Sequence, residues 1–404
     1  METSSILESG AQRAGRYKAA HAALEDRGQV VSQAAWASLV KGCLDALGEL
    51  PEGANLGFVY TTDVLSDDFA SIVTFLRERT GIDCWIGTVG EGVVASGHEF
   101  YDRPALSLMV AALPEGSVRA FGQITAAPRS GGLDIFTAEH GNWVAEHRPI
   151  LGVVQGDPRN PSIIEIIEGL AETTSTFLVG GLTASANDLP QVAGAEVSPG
   201  VDSGGLSGVL FSSEQLVVAG LSQGCTPIGG DHLITEADAA GVVKTLDGRP
   251  ALEVLREDVG ELLARDLQRI GGYIFAALPI PGSDTGDYLV RNLIGMDIER
   301  QWLQIGAEIQ AGERIGFCRR DHQSARADLK RMLEDLRDRS GGAPRGALYF
   351  SCVARGRHLF GPNSEELRLI RETFGDMPLT GFFANGEICN NRLYGYTGVL
   401  ALLL

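Results

Sequence analysis

The sequence predicts a mixed α/β protein of the α+β kind: two domains of β-sheet covered by helices, with three similar strand–helix–strand units. Three observations carry this. The chain has 404 residues, and a single core seldom grows past about 250–300 residues. A buried strand, an amphipathic helix, a second strand and a glycine-rich turn recur in that order three times. The region between the second and third occurrences has a different pattern. An apolar fraction of 44% beside 21% charged residues suffices to bury cores of this size.

The stretch up to about Leu50 reads as helical, because Trp36, Leu39, Val40 and Cys43 recur on one face. LPEGAN ends it. The first unit follows: LGFVYTT as a strand, Ser66 as cap of a helix whose face is Phe69, Ile72, Val73 and Leu76, and Gly81 as its stop. CWIGTVGEG then gives strand and turn, and ALSLMVAAL a further strand. The second unit runs from the strand ILGVVQG through a cap at Asn160 with Pro161 at the first helical position. Its helix face is Ile163, Ile166, Ile167 and Leu170; TFLVGGLTAS and LSGVLFS are its strands.

After LVVAGLSQG, the segment HLITEADAAGVVKTLDG reads as a hairpin bending at Ala239, Ala240 and Gly241. Ala251–Leu267 reads as an amphipathic helix near a domain boundary, which divides the chain into 1–248 and 249–404. PGSDTGD is a loop, GERIGFCRRD a strand, Ser324–Arg339 a charged helix and SGGAPRG a joint. The third unit opens on ALYFSCV. Asn363 caps, with Glu366 three residues on as in a capping box, and Leu367, Ile370 and Phe374 face inward. PLTGFFANGEI and YTGVLALLL complete it. Duplication and convergent packing both account for such a repeat.

A net charge of −19 opposes nucleic acid and anionic membranes as partners. The start, METSSILESG, lacks an apolar signal core, and no run approaches the roughly 18 apolar residues of a membrane span, so a cytoplasmic protein is expected. Six cysteines without CxxC spacing read as reduced thiols, and the seven histidines form no HxxxH pair, so no metal site is expected.

Five stretches occur in order: GLSQGCTPIGG (220–230), LDGRPALEVL (246–255), YLVRNLIGMD (288–297), SCVARG (351–356) and GFFANGEI (381–388), before a closing YGYTGVL. With them the chain resembles a FIST-domain protein from about residue 30 onward, N-like over 1–248 and C-like over 249–404. The resemblance implies an intracellular sensory role in signal transduction, with small ligands such as amino acids. Some bacterial relatives are haem-binding nitric-oxide sensors. Animal relatives carry an F-box, which the first 50 residues here do not resemble. No kinase, cyclase or DNA-binding segment is recognisable, so the output is expected through a separate protein such as a kinase or receptor.

The candidate site residues lie mostly in the last 60 positions. Cys352 ends an apolar strand and precedes Arg355; a thiol beside a guanidinium gains reactivity, while the alternative is a buried structural cysteine. Thr61 and Gln155 take similar strand-end positions in the other units, where a ligand-facing rim is expected. Arg355 is either a carboxylate clamp or one half of an ion pair. Asn385, Gly386 and Glu387 form a glycine turn open to backbone approach, and Gly90–Glu91 looks alike. Glu387 with Arg355 would hold an amino-acid zwitterion in a cleft between the two halves. Arg291 and Asn292 open the C-terminal half, and Asn292 reads as a turn residue; Gly224–Pro227 also reads as a turn. His232 is the axial-ligand candidate if haem binds, although no CxxCH is present. GxSxG, HExxH and Walker patterns are absent, so a non-catalytic binding protein is expected, with Cys352 as nucleophile and Glu387 as base the enzymatic alternative.

Overall fold

The computed structural model describes residues 7–14, 16–24, 35–194, 200–238, 240–260, 272–280 and 288–404, with the backbone alone over 7–14. They divide into two units. The first holds residues up to Ser222 with Leu329–Leu393 and Thr397–Leu404; the second holds Gln223–Asp328 with Tyr394–Tyr396.

The chain begins with β1 (Leu7–Ala14), β2 (Tyr17–Leu24) and α1 (Ala35–Leu47). Next come β3 (Leu56–Thr62), α2 (Phe69–Thr80), β4 (Cys84–Gly90), β5 (Gly92–Ala95), β6 (His98–Tyr101) and β7 (Ala105–Ala111). Then follow β8 (Val118–Ile124), α3 (Asp134–His147), β9 (Leu151–Gly156), α4 (Ile163–Thr174) and β10 (Phe177–Leu182). β11 (Gln191–Gly194), β12 (Val201–Asp202), β13 (Leu206–Phe211) and β14 (Val217–Gln223) bring the chain to the second unit.

That unit contains β15 (Cys225–Ala237), β16 (Val242–Leu246), β17 (Arg249–Pro250), α5 (Ala251–Val259) and β18 (Ile274–Pro279). β19 (Tyr288–Asp297), β20 (Trp302–Ile305) and β21 (Arg314–Arg320) complete its strands. α6 (His322–Ser340) leads to β22 (Gly346–Cys352), α7 (Glu365–Phe374), β23 (Leu379–Ala384), β24 (Glu387–Cys389), β25 (Arg392–Tyr394) and β26 (Thr397–Leu403).

The three strand–helix–strand units are present, and their pairing is the same in each. β3 runs parallel to β4 and antiparallel to β7. β9 runs parallel to β10 and antiparallel to β13. β22 runs parallel to β23 and antiparallel to β26. The helix of each unit makes the long crossover that a parallel pair requires. Its expected apolar face is buried: Phe69, Ile72, Val73 and Leu76 on α2, and Ile163, Ile166, Ile167 and Leu170 on α4.

A fourth strand comes from another unit each time. β5, which follows β4, pairs with β23 of the third unit. β24, which follows β23, pairs with β10 of the second. β11, which follows β10, pairs with β4 of the first. The exchange is cyclic. Gly87, Gly180 and Gly381 mark one register position in it, opposite Val59, Val154 and Tyr349. A Cβ there would lie 1.7, 1.8 and 1.8 Å from the carbonyl oxygens of those partners.

The N-terminal reading is corrected. Residues 7–14 and 17–24 form an antiparallel hairpin, and the helix begins only at Ala35. The alanines of β2 favour helix by propensity, but their backbone pairs with β7 from Tyr17↔Ala111 to Ala23↔Ala105, and tertiary pairing outweighs so weak a preference. Two caps are corrected as well. Ser66 lies in a 3-10 turn before α2, and the capping-box reading of Asn363 fails because Asn363 and Ser364 both take left-handed backbone (φ 71° and 53°).

In the second unit β15, β21, β18, β19, β20 and β16 pair in that order, and β15 pairs back to β16. The result is a closed antiparallel barrel, which leaves no free edge among these strands. Ala251, Leu252, Val254 and Leu255 of α5 pack into its apolar interior with Ile234, Val243, Ile274 and Phe317. The hairpin at 232–248 is present as β15 and β16, with Ala239 outside the described residues. The PGSDTGD loop and the end of the Ala251–Leu267 helix also lie outside them. Arg291–Asn292 and Cys225–Pro227 are strand residues rather than turns, paired with Ala276, Phe275 and the 318–320 segment.

Gly381→Ala is expected to destabilise the first unit by about 1–3 kcal/mol, read as a lowered urea midpoint. Gly122→Ala, on an exposed strand site with nothing within 4 Å, should stay within about 0.5 kcal/mol of the parent.

Candidate functional site

β22 of the third repeat ends at Cys352, and the chain then turns through Arg355 towards α7. The Arg355 side chain has no exposure, so its charge needs an internal partner. Glu366 supplies it: Nε and Nη2 of Arg355 lie 2.8 and 2.6 Å from Glu366 Oε1. Arg355 also donates to the carbonyl and hydroxyl oxygens of Ser222 at 3.2 and 3.4 Å, and its guanidinium lies over the Phe360 ring. Glu366 accepts further bonds from the Tyr349 hydroxyl (2.5 Å), the Ser351 hydroxyl and the Gly356 N–H (3.1 Å each). The ion-pair alternative for Arg355 is therefore the one formed, and the guanidinium is committed within the protein. Glu366 looked like a helix cap in the sequence; it points into the core instead.

Glu387 is fully buried on β24. Its Oε2 accepts the N–H and the hydroxyl of Thr397 at 3.0 and 2.7 Å. Burial pushes its carboxyl up to about 8, against the opposing pull of the Thr397 donors, the Arg355 charge and the Cys352 thiol. Glu99 is likewise pushed up to about 8, by burial and then by the Glu366 charge. Asn385 is exposed, but its N–H donates to the Leu182 carbonyl, and the Gly386 carbonyl accepts the Leu182 N–H. The backbone of this glycine turn thus binds the third repeat to the second, instead of standing open to a ligand.

The structure brings Cys352, Arg355 and Glu387 together and leaves the other candidates elsewhere. Counted from the Gly87, Gly180 and Gly381 positions, the equivalents of Cys352 are Thr62 and Asp157. Thr61 matches Ser351, and Gln155 matches Tyr60 and Phe350. Thr61 is buried with an unbonded hydroxyl. Gln155 donates to the Val192 carbonyl and the Ser207 hydroxyl inside the core. Neither side chain lies on an exposed rim. Arg291 and Asn292 belong to the barrel unit, where Asn292 accepts a bond from the Tyr396 hydroxyl at 2.8 Å.

His232 is held on both sides, with Nδ1 2.7 Å from Asp247 Oδ2 and Nε2 2.9 Å from Asp258 Oδ2. Desolvation lowers its pKa, but the two carboxylates outweigh that and raise it. Both ring nitrogens of His232 are turned to carboxylates in this arrangement, which holds the side chain within the barrel unit. Among the described residues no three His, Cys, Asp or Glu side chains converge to hold a metal.

A concave site lies at the equivalent edge of the second repeat. It has a volume of about 550 Å³ and is lined by Asp157, Arg159, Asn160, Ser162, Ser130 and Thr125 among others. Asp157, fully buried, accepts Nε and Nη2 of Arg159 and the Gly204 N–H. Asn160 donates to the Thr125 and Gly204 carbonyls and accepts the Ser162 N–H, which sets the start of α4. Arg159 keeps more than half of its side chain exposed. The sequence signal was GDPRNP, charged and polar residues set between a buried strand and a helix.

Comparison with known proteins is consistent across the chain. The FIST N domain model matches residues 55–249, and the FIST C domain model matches residues 251–390. An uncharacterised protein of Mycobacterium tuberculosis is 33% identical over 334 residues, covering 79% of this chain and 83% of the relative. Another, from Mycobacterium bovis, is 29% identical over 368 residues, covering 87% and 91%.

Two outcomes follow from the buried charges. Glu366→Ala strands the Arg355 charge and should cost about 3–5 kcal/mol, whereas Arg355→Met with Glu366→Leu should recover most of it; denaturant titration measures both. Glu387 has a folded pKa above its unfolded value of about 4.3. Its contribution is therefore complete below about pH 4 and is lost as pH rises through about 8. Glu387→Gln should raise the melting temperature by at least about 2 °C at pH 9 and leave it near the parent value at pH 4.

Proposed function

The chain belongs to the FIST family, with the N and C domains in order, and on that premise we propose that it is a non-catalytic sensor of a small anionic ligand, an amino acid or a similar carboxylate. FIST domains are associated with sensing in signal transduction. The observation that carries the ligand class is the concave site at the end of β9, which Arg159 lines together with Asn160, Pro161 and the Ser162 cap of α4. Ser162 precedes the first turn of α4, whose opening N–H groups have no partner within the helix. A guanidinium and a helix N-terminus together favour a carboxylate. Asp157 holds one side of the guanidinium; Nη1 makes no hydrogen bond within the described residues. In a chain of net charge −19, the exposed side of this guanidinium is the group that an approaching anion would meet.

The site therefore moves from the third repeat to the second, because Arg355 is already paired and Arg159 is half free. Carboxyl ends of parallel strands are where α/β sheets commonly take ligands. The six cysteines are all free thiols, which fits action in a reducing cytoplasm. No helix of the described residues is long and apolar enough to cross a membrane. Transmission to a partner protein such as a kinase or receptor belongs to the same reading.

Titration calorimetry with the amino acids, small dicarboxylates and inorganic phosphate tests it. At least one carboxylate should bind, and Arg159→Ala should weaken that binding at least ~10-fold, the order expected for a lost charge-assisted bond. Silence across the panel, with no small molecule retained in native mass spectrometry, would sink the proposal.

A further inference from the structure

We infer that His21 and His98 form a two-imidazole site for a divalent late transition metal ion such as zinc, set between two sheets of the first unit. The inference is independent of the ligand reading, which concerns the second repeat. The alternation of β2 sets the geometry. Ala20, Ala22 and Leu24 pack into the cluster that α1 and α2 also fill, so the odd-numbered residues take the opposite face. His21 is one of them, directly across from Ser107 of β7. The Ser107 hydroxyl lies 2.7 Å from the Thr380 hydroxyl of β23, so this face looks at the sheet that holds β22, β23, β5 and β6. β6, at the edge of that sheet, presents His98. The two imidazole centroids are 5.0 Å apart, and the Phe100 ring of β6 lies 5.3 Å from His21.

His21 keeps only 7% of its surface exposed, and neither of its ring nitrogens has a hydrogen-bond partner among the described residues; the same holds for His98. Four other histidines are bonded. His140 accepts from Arg119, His147 bonds the Trp143 carbonyl, His232 meets two carboxylates, and His358 accepts from Arg357. A buried polar ring without a partner costs stability, and an absent ion is one of the few things that explain such a group in a native fold. No carboxylate stands against either ring to favour its charged form. Burial, with His98 beside it, pushes the His21 pKa down to about 4, so at neutral pH the ring keeps the lone pair that a metal needs.

The separation suits one ion. Two imidazoles bound at about 2.0–2.1 Å per bond, near the tetrahedral angle, place their centroids about 5 Å apart, as these are. Imidazole nitrogen selects zinc, copper and nickel over magnesium or calcium. No third His, Cys, Asp or Glu converges on the pair among the described residues, so water fills the remaining positions and the ion can exchange. A bound ion would tie β2 of one sheet to β6 of the other.

The test strips the full-length, reduced protein with EDTA and titrates it with zinc chloride by calorimetry. Zinc should bind, and His21→Asn and His98→Ala should each weaken binding at least ~10-fold, the lower end of what even an outer-shell change costs a metal site. His358→Ala, at an exposed ring, and Arg159→Ala, in the ligand cleft, should leave it unchanged. A second arm needs no variant and so survives any loss of folding. Zinc at ten times its dissociation constant should slow modification of His98 by diethyl pyrocarbonate about 10-fold and leave His358 as reactive as before, read by peptide mass spectrometry. Absence of zinc binding, undiminished binding in a folded His98→Ala protein, or equal modification of His98 with and without zinc would overturn the inference.

Discussion

Cyclic strand exchange is the constraint on which the first unit depends. No repeat completes its own sheet, because β5, β24 and β11 each leave the repeat that precedes them and pair in another. Exposed strand edges invite wrong partners, and the exchange covers one edge of each repeat with a neighbour. It also fixes the glycines. The carbonyls opposite Gly87, Gly180 and Gly381 approach so closely that a Cβ has no room. The turns that carry the chain between sheets then spend their backbone groups on the neighbouring repeat, as Asn385 and Gly386 do with Leu182. A glycine-rich turn that resembles a ligand loop in the sequence is, in this architecture, a joint.

The same threefold plan supplies one position to three chemistries. At the end of the first strand of each repeat stand Thr62, Asp157 and Cys352. Thr62 donates to the Arg103 carbonyl and accepts the Ala105 N–H, closing its edge. Asp157 anchors Arg159 and leaves a cleft. Cys352 is buried. The backbone geometry is shared, so the differences arise from the side chains that each edge gathers. The first edge is structural, the second concave and charged, the third buried and titratable.

Buried polar groups carry much of the specificity here. The Arg355–Glu366 pair is satisfied by Tyr349, Ser351, Gly356 and Ser222, and such a network stabilises only because almost every donor and acceptor is met. Glu387 is the exception, with one oxygen satisfied twice and the other buried without a hydrogen-bond partner. In the barrel unit His232 joins β15 to the turn before β17 and to α5 through two carboxylates, and only a protonated ring can donate to both at once.

Much of this was legible in the chain. Helix faces such as Ile163, Ile166, Ile167 and Leu170, the three repeated units and their closing strands follow from local periodicity, since burial of one face imposes a spacing that neighbours in sequence record. The alanine-rich β2 was not legible, because alanine favours helix until another strand claims its backbone. Barrel closure between β15 and β16 was half legible: the hairpin shows locally, the ring does not. Of the candidate residues, the sequence brought forward Cys352, Arg355 and Glu387 by their motifs, but it had no means to see that Glu366, eleven residues after Arg355, would reach into the core and consume the guanidinium. Nor did it single out Arg159. The sequence by itself determined the family, the repeats and the helix faces; only the tertiary structure decided which charges are paired, which are buried and which stand in a cleft, because pairing and desolvation depend on groups that meet in space across long separations in the chain.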